Sequence, residues 1–226
     1  MAETILKVRN LNVELEKEKV LEDLDFNLRE KELLVILGPN GAGKSVLLRT
    51  LLGLHPFKGE ISWTPKNIHI GYVPDDFDVP PDLPLNVKEF FYFKRINLPE
   101  ILSALQWVGI ENPSKFVGKR LGTLSRGQLR RIVIAWVLVD RPSIILLDEP
   151  MVGIDIHGRE SIYNSLVKTW QKQNQAIILV SHEIGEVVKK ADKILALNKK
   201  KLFYGKPEEI ITPQNLAKIY GDAISL

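Results

Sequence analysis

The 226-residue chain contains no cysteine, which excludes a disulfide scaffold and thiol chemistry. It has little net charge. Against 31 Lys and Arg stand 28 Asp and Glu, and the resulting +3 gives no argument for a nucleic-acid partner, though it leaves room for attraction to an acidic membrane surface. Long apolar runs are missing as well. The longest, Ile132 to Val139, falls far short of the ~20 residues a spanning helix needs. The opening Met1-Ala2-Glu3-Thr4-Ile5-Leu6-Lys7 has no apolar signal region. Internal repeats and low-complexity tracts are absent. These absences predict a chain soluble by itself, reaching a membrane only through a partner. The 45% hydrophobic content supplies a core for one large domain.

Against this background one segment stands out. Gly38-Pro39-Asn40-Gly41-Ala42-Gly43-Lys44-Ser45 matches the phosphate-loop pattern G-x-x-x-x-G-K-[ST]. Leu33 to Leu37 feeds it as a buried strand would, and Val46 to Leu52 leaves it with good helix formers. Glycines let backbone N–H groups close around phosphate oxygens, and the helix N-terminus adds partial positive charge. In such a loop Lys44 reaches the β- and γ-phosphates, and the Ser45 hydroxyl ligates Mg²⁺. A chance glycine-rich turn has no need of both flanks.

The remaining chain divides by pattern. Ile5 to Val13 and Val20 to Leu28 alternate as strands, joined by the charged turn Glu16-Lys17-Glu18-Lys19. Ile61 to Trp63 and Ile68 to Val73 read as short strands. Pro74 to Pro84, rich in proline and aspartate, is a loop. Asn86 to Gly122 is mainly helical, with Pro99 opening one helix and Pro113 interrupting another. Ile144 to Leu147 and Ala176 to Val180 are continuous apolar runs, as in parallel strands covered on both faces, with a helix over Arg159 to Lys172 between them. Ile194 to Leu197 and Leu202 to Tyr204 form a hairpin, and helices at Pro207 to Ile211 and Pro213 to Tyr220 follow. The predicted fold class is α/β: a P-loop NTPase core with a mainly parallel sheet, an N-terminal antiparallel β subdomain and an inserted α-helical subdomain. The expected division of this single domain is 1–73 with 140–226 as core, and 74–139 as helical insertion.

Two further motifs carry chemistry. Leu147-Asp148-Glu149-Pro150 ends a buried strand, where Asp148 is placed to hold Mg²⁺ and Glu149 to polarise an attacking water. Leu124-Ser125-Arg126-Gly127-Gln128 precedes an apolar segment. Its S-x-x-Q spacing is that of a capping box, and the same capped N-terminus presents N–H groups to an anion; local physics leaves both readings open.

The order of phosphate loop, Leu-Ser-Arg-Gly-Gln, Leu-Asp-Glu-Pro and Ser181-His182 resembles the ATP-binding subunit of an ABC transporter over nearly the whole chain. That resemblance implies roles for these residues. Leu124, Ser125, Arg126, Gly127 and Gln128 form the signature, with Ser125, Gly127 and Gln128 contacting the γ-phosphate of ATP held by a second, head-to-tail copy. Asp148 helps hold Mg²⁺, Glu149 is the general base, and His182 is the switch that senses the γ-phosphate. Asp155, in Gly153-Ile154-Asp155, belongs to the loop crossing the dimer interface. The other histidines, His55, His69 and His157, form no ligand spacing and are expected at the surface.

The sequence departs from that family's pattern at four positions. Leu15 stands where an aromatic residue usually stacks on adenine. Asp75 stands where the family has Gln; a carboxylate is acceptor-only and is a further candidate for Mg²⁺. Val46 replaces a hydroxyl that often bonds the α-phosphate, and Arg126 replaces the first signature glycine. The stretches Tyr72 to Pro84 and Asp148 to Asp155 are similar to zinc- and manganese-type metal importers. In Phe90-Phe91-Tyr92-Phe93 the rings cannot all face one way on a helix, so part is expected to line a docking groove.

The expected function is therefore an ATP-hydrolysing subunit that powers a transporter. Its expected partners are a second copy of itself, integral membrane permease subunits and an extracytoplasmic substrate-binding protein, with no nucleic acid. Its expected place is cytoplasmic, peripheral on the inner face of the membrane. An exporter's cassette, a non-transport ATPase of the same family and a weakly hydrolysing regulator are the rival readings.

Overall fold

The computed structural model describes residues 2–151, 175–182 and 186–221. In chain order the elements are β1 (Thr4–Leu15), β2 (Glu18–Arg29), β3 (Leu33–Leu37), α1 (Lys44–Leu51), β4 (Lys58–Trp63), β5 (Ile70–Val73), α2 (Val87–Tyr92), α3 (Leu98–Trp107) and α4 (Pro113–Phe116). There follow a 3₁₀ turn (Leu121–Thr123), α5 (Arg126–Leu138), β6 (Ile144–Asp148), β7 (Ala176–Ser181), α6 (Glu186–Lys189), β8 (Lys193–Asn198), β9 (Lys200–Gly205), α7 (Pro207–Ile210) and α8 (Pro213–Tyr220). The chain falls into two compact units, Met1–Ile70 with Ser143–Glu149 and Asn174–Leu226, and Gly71–Pro142 with Pro150–Gln173.

In the first unit β1 and β2 form an antiparallel hairpin, with β4 on the other side of β1. Glu16 and Lys17 both have positive φ (51° and 68°), the geometry of a type I′ turn, whose twist matches that of the flanking strands. Leu6, Val8, Leu11 and Val13 face the core from β1. The remaining strands of this unit extend the sheet in the order β4-β1-β2-β9-β8-β3-β7-β6. β8 and β9 are antiparallel, whereas β3 runs parallel to both β7 and β8, and β6 runs parallel to β7. All residues of β3 and β6 are buried, which is why their sequences are continuously apolar rather than alternating. The registers Leu37↔Ser181 and Asp148↔Val180 bring the carboxyl ends of β3, β6 and β7 to one edge. Ligands of open parallel sheets gather at that edge.

The second unit is built from short capped helices. Asn86 with Glu89, Asn97 with Glu100, and Ser125 with Gln128 each make a complete capping box, which satisfies two otherwise orphaned backbone donors apiece. Pro113 opens α4 instead of interrupting a longer helix, because its fixed φ and missing N–H suit a first turn. The aromatic run splits as helical geometry requires. Phe91 is fully buried, Phe90 stacks on Trp136 at 5.3 Å between ring centroids, and Tyr92 and Phe93 are exposed. Arg130 on α5 is buried; it donates to the Pro74 carbonyl and, through Nε, to the Pro150 carbonyl at 3.2 Å.

Candidate functional site

The site grows from the turn between β3 and α1. Gly43 caps α1 at φ 93°, a left-handed conformation open to glycine, and a Cβ there would stand 2.6 Å from a Leu21 methyl. Lys44 opens the helix and is only 6% exposed. Its ammonium donates to the carbonyls of Gly38 at 2.9 Å and Pro39 at 3.1 Å, so the loop folds around its own lysine. The opposite charge comes from Glu149, whose Oε1 lies 3.5 Å from Lys44 Nζ. A buried ammonium needs such partners, since desolvation without them is prohibitive.

Beside it, Ser45 Oγ donates to Asp148 Oδ1 at 3.0 Å, and Asp148 is fully buried at the end of β6. One hard carboxylate and one hydroxyl, side by side, suit a Mg²⁺ ion that completes its shell with waters and phosphate oxygens. Among the described residues no group of three or more His, Cys, Asp and Glu gathers to hold a metal without such help.

Glu149 follows the strand and leaves it at φ 45°, a left-handed conformation uncommon for a residue with a side chain, while its N–H donates to the Val180 carbonyl at 3.2 Å. This turn sends the carboxylate between Lys44 and His182, whose Nδ1 meets Glu149 Oε2 in close hydrogen-bonding contact. His182 sits just past β7, with its side chain 42% exposed. A residue that the sequence reading did not single out completes the cluster. Tyr220, the last residue of α8, donates through its hydroxyl to the His182 carbonyl at 3.4 Å. Burial, opposed by a hydrogen bond from the Gly38 backbone and aided by the Glu149 charge, pushes the Tyr220 hydroxyl up to about 12. No short motif marks a tyrosine this far along the chain.

The expected site residues are thus distributed as follows. Gly38, Pro39, Asn40, Gly41, Ala42, Gly43, Lys44, Ser45 and Val46 form the loop and the start of α1. Asp148, Glu149 and His182 join Lys44 and Ser45 in the first unit. Leu15 is the last residue of β1, half-buried and paired with Glu18. Asp75 and the signature residues belong to the second unit. There Ser125 and Arg126 are exposed, and Ser125 Oγ accepts from the Gln128 N–H at 3.2 Å. A cleft of about 450 Å³ opens beside this cap, with Lys115, Lys119 and Arg131 among its lining residues. Asp155 and His157 lie outside the described residues. His69 is exposed, and His55 is half-buried, with Nε2 shielded from solvent and no hydrogen-bond partner.

The parallel sheet, the loop cradling Lys44 and the acidic end of β6 define a protein of the P-loop NTPase fold. Residues 21–152 match the ABC transporter family, and the chain belongs to it. Two zinc import ATP-binding proteins named ZnuC, from Haemophilus influenzae and Haemophilus ducreyi, are 32% and 34% identical to it over 223 residues. The alignments cover 98% of this chain and 82% and 83% of those proteins. The solved structure of cbiO1 from Clostridium perfringens, part of the ABC transporter complex cbiONQ, superposes with a TM-score of 0.79 at 28% identity, over 96% of this chain and 94% of that one.

Proposed function

We propose that this chain binds and hydrolyses ATP to power a metal-ion importer, with zinc as the cargo class. The observation that carries the hydrolytic reading is the convergence of Lys44, Ser45, Asp148, Glu149 and His182 at the carboxyl edge of the parallel sheet. The cargo is supported by the zinc importers to which the chain is similar over nearly its whole length. No helix among the described residues is long and apolar enough to cross a membrane, so the translocation path is supplied by permease subunits. The chain then acts at the inner face of the membrane, with an extracytoplasmic binding protein delivering the ion.

The reaction follows from the geometry. The triphosphate enters the loop, and Lys44 exchanges its contact with Glu149 for the β- and γ-phosphate oxygens. Ser45 and Asp148 are the residues that would hold Mg²⁺, which when bound neutralises phosphate charge. Released from the lysine, the Glu149 carboxylate accepts a proton from the attacking water, and His182 holds that carboxylate and the γ-phosphate in register. The signature cap of a second, head-to-tail copy closes the pocket. Its exposed Ser125, the N-terminus of α5 and the cationic cleft beside it suit an incoming phosphate. Asp155 would lie at this dimer interface. Asp75 would add a carboxylate near the metal.

A mixing experiment tests this composite site. Lys44→Ala and Ser125→Arg subunits are each expected to lack ATPase activity. Mixed, they form heterodimers in which one pocket takes an intact Lys44 from the Ser125→Arg chain and an intact Ser125 from the Lys44→Ala chain, and activity returns. A mixture as inactive as its components would overturn the head-to-tail reading. Uptake of Zn²⁺ by vesicles carrying the permease, lost with Glu149→Gln, tests the cargo.

Leu15 gives a separate expectation. A leucine packs against a base but offers no π face, and stacking on an aromatic contributes ~1–3 kcal/mol per base. Leu15→Tyr is expected to tighten ATP binding about tenfold and to sharpen preference for ATP over GTP, as read by equilibrium titration. Equal Kd values for the two proteins would show that Leu15 does not face the base.

A further inference from the structure

The C-terminal end of the described chain enters the site in a way that the proposed hydrolytic roles do not require. α8 is held by several independent contacts: Thr212 Oγ1 accepts from the Asn215 N–H at 3.2 Å, Asn215 Nδ2 donates to the Glu209 carbonyl at 3.1 Å, and Ile219 is buried at 1% exposure. Gly221 ends the helix with a positive φ of 68°. These contacts account for the packing of the helix. They leave unexplained why its last residue carries a hydroxyl and why that hydroxyl reaches the backbone just past β7. Its proton goes to the His182 carbonyl at 3.4 Å.

We propose that Tyr220 is a positioning residue for ATP hydrolysis, tethering the backbone of His182 to α8 so that the histidine ring stays against Glu149. This rests on the hydrolytic reading above and adds a residue to it. The logic is one of rigid placement. His182 is exposed and stands one residue beyond the end of β7, and its ring must remain in contact with a carboxylate that itself turns out of β6 at φ 45°. A hydrogen bond from a well-packed helix to the His182 carbonyl removes backbone freedom that the ring alone cannot remove. Catalysis that depends on oriented groups is sensitive to displacements of about 1 Å. With its ionisation pushed to about 12, the phenol stays protonated at neutral pH and remains a donor. Tyr220 touches neither reacting atom by this assignment; it acts through His182.

The test is Tyr220→Phe, which keeps the ring and its packing and removes only the hydroxyl. Loss of one such hydrogen bond corresponds to a fall in kcat of about fivefold to tenfold, with KM for ATP held within about twofold. The decisive measurement is a double-mutant cycle against His182→Ala by single-turnover hydrolysis. If Tyr220 acts through the histidine, Tyr220→Phe has no further effect once His182 is gone. An unchanged kcat in Tyr220→Phe, or the same fold-loss with and without His182, overturns the proposal. Where His182→Ala falls below detection, the NMR resonance of the His182 ring decides: broadening or a shift in Tyr220→Phe supports the role, and an unaltered signal overturns it. Full hydrolysis by Glu149→Gln would instead sink the reading on which this proposal stands, so the two failures are separable.

Discussion

Glu149→Gln is expected to reduce the rate of ATP hydrolysis by ~10²–10⁴-fold, the range associated with removing a positioned general base. The amide retains the shape of the carboxylate and can still accept a hydrogen bond from His182, so the fold is expected to be unchanged. It cannot take a proton from water. A second consequence follows from the structure. Glu149 Oε1 lies 3.5 Å from Lys44 Nζ, and on the proposed mechanism that contact competes with the phosphates for the same ammonium. Neutralising Glu149 removes the competitor and also lifts a negative charge from the place the γ-phosphate must occupy. ATP binding is therefore expected to be as tight as in the unaltered protein or tighter by severalfold, and the protein to accumulate as an ATP-bound dimer. Equilibrium binding and size-exclusion chromatography with and without Mg-ATP read these effects, alongside single-turnover hydrolysis. A kcat within tenfold of the unaltered protein would remove Glu149 from the role of base. Weaker ATP binding would mean that the Lys44 contact aids binding rather than opposing it.

The features legible in the sequence are those encoded by short spacings. Gly38 to Ser45 gave the strand, loop and helix because each part of the motif has a local conformational reason, and the S-x-x-Q spacing of Ser125 and Gln128 gave the capping box that the structure displays. Continuous apolar runs at Ile144 to Leu147 and Ala176 to Val180 marked parallel strands for an equally local reason, burial on both faces. The illegible features are long-range or conformational. Nothing in Leu-Asp-Glu-Pro indicates that Glu149 leaves its strand left-handed, because that turn is imposed by tertiary contacts that place its N–H on Val180. The partner of Tyr220, the His182 carbonyl, is 38 residues away in sequence, a juxtaposition that no periodicity records. His55 is partly exposed, as a surface residue, but its shielded Nε2 was not legible for a similar reason. Its neighbours in the chain are those of a surface loop, and only packing shows that its Nε2 is shielded. Residue spacing thus carried the chemistry of the loop, whereas the coupling of Lys44, Glu149, His182 and Tyr220 required the folded sheet edge.

Gly38→Ala is expected to be the most destabilising single-methyl change in the phosphate loop. A Cβ at this position would sit 2.1 Å from the Leu197 carbonyl oxygen and 3.2 Å from the Ala42 methyl. The first neighbour is backbone, held in β8, which pairs with β3 in the register Leu37↔Ala196 just before the contact. Relief requires β3 and β8 to separate by more than 1 Å at the point where the loop begins, since ordinary contact starts near 3.4 Å. Forcing extra atoms into a packed site costs about 1–3 kcal/mol when side chains can yield, and more where they cannot. A loss of about 3 kcal/mol or more is expected, corresponding to a fall in Tm of roughly 6–12 °C for a chain of this size. The functional loss is expected to exceed the thermodynamic one. The Gly38 carbonyl holds Lys44 at 2.9 Å, so displacing it disturbs the lysine proposed to bind the phosphates. ATP affinity and kcat should both fall at temperatures where the variant is still fully folded. Thermal unfolding paired with ATP titration well below Tm checks this. A variant with unaltered Tm would show that β8 moves freely there. One that is destabilised yet binds ATP normally would show that the loop's placement does not depend on the β3–β8 contact.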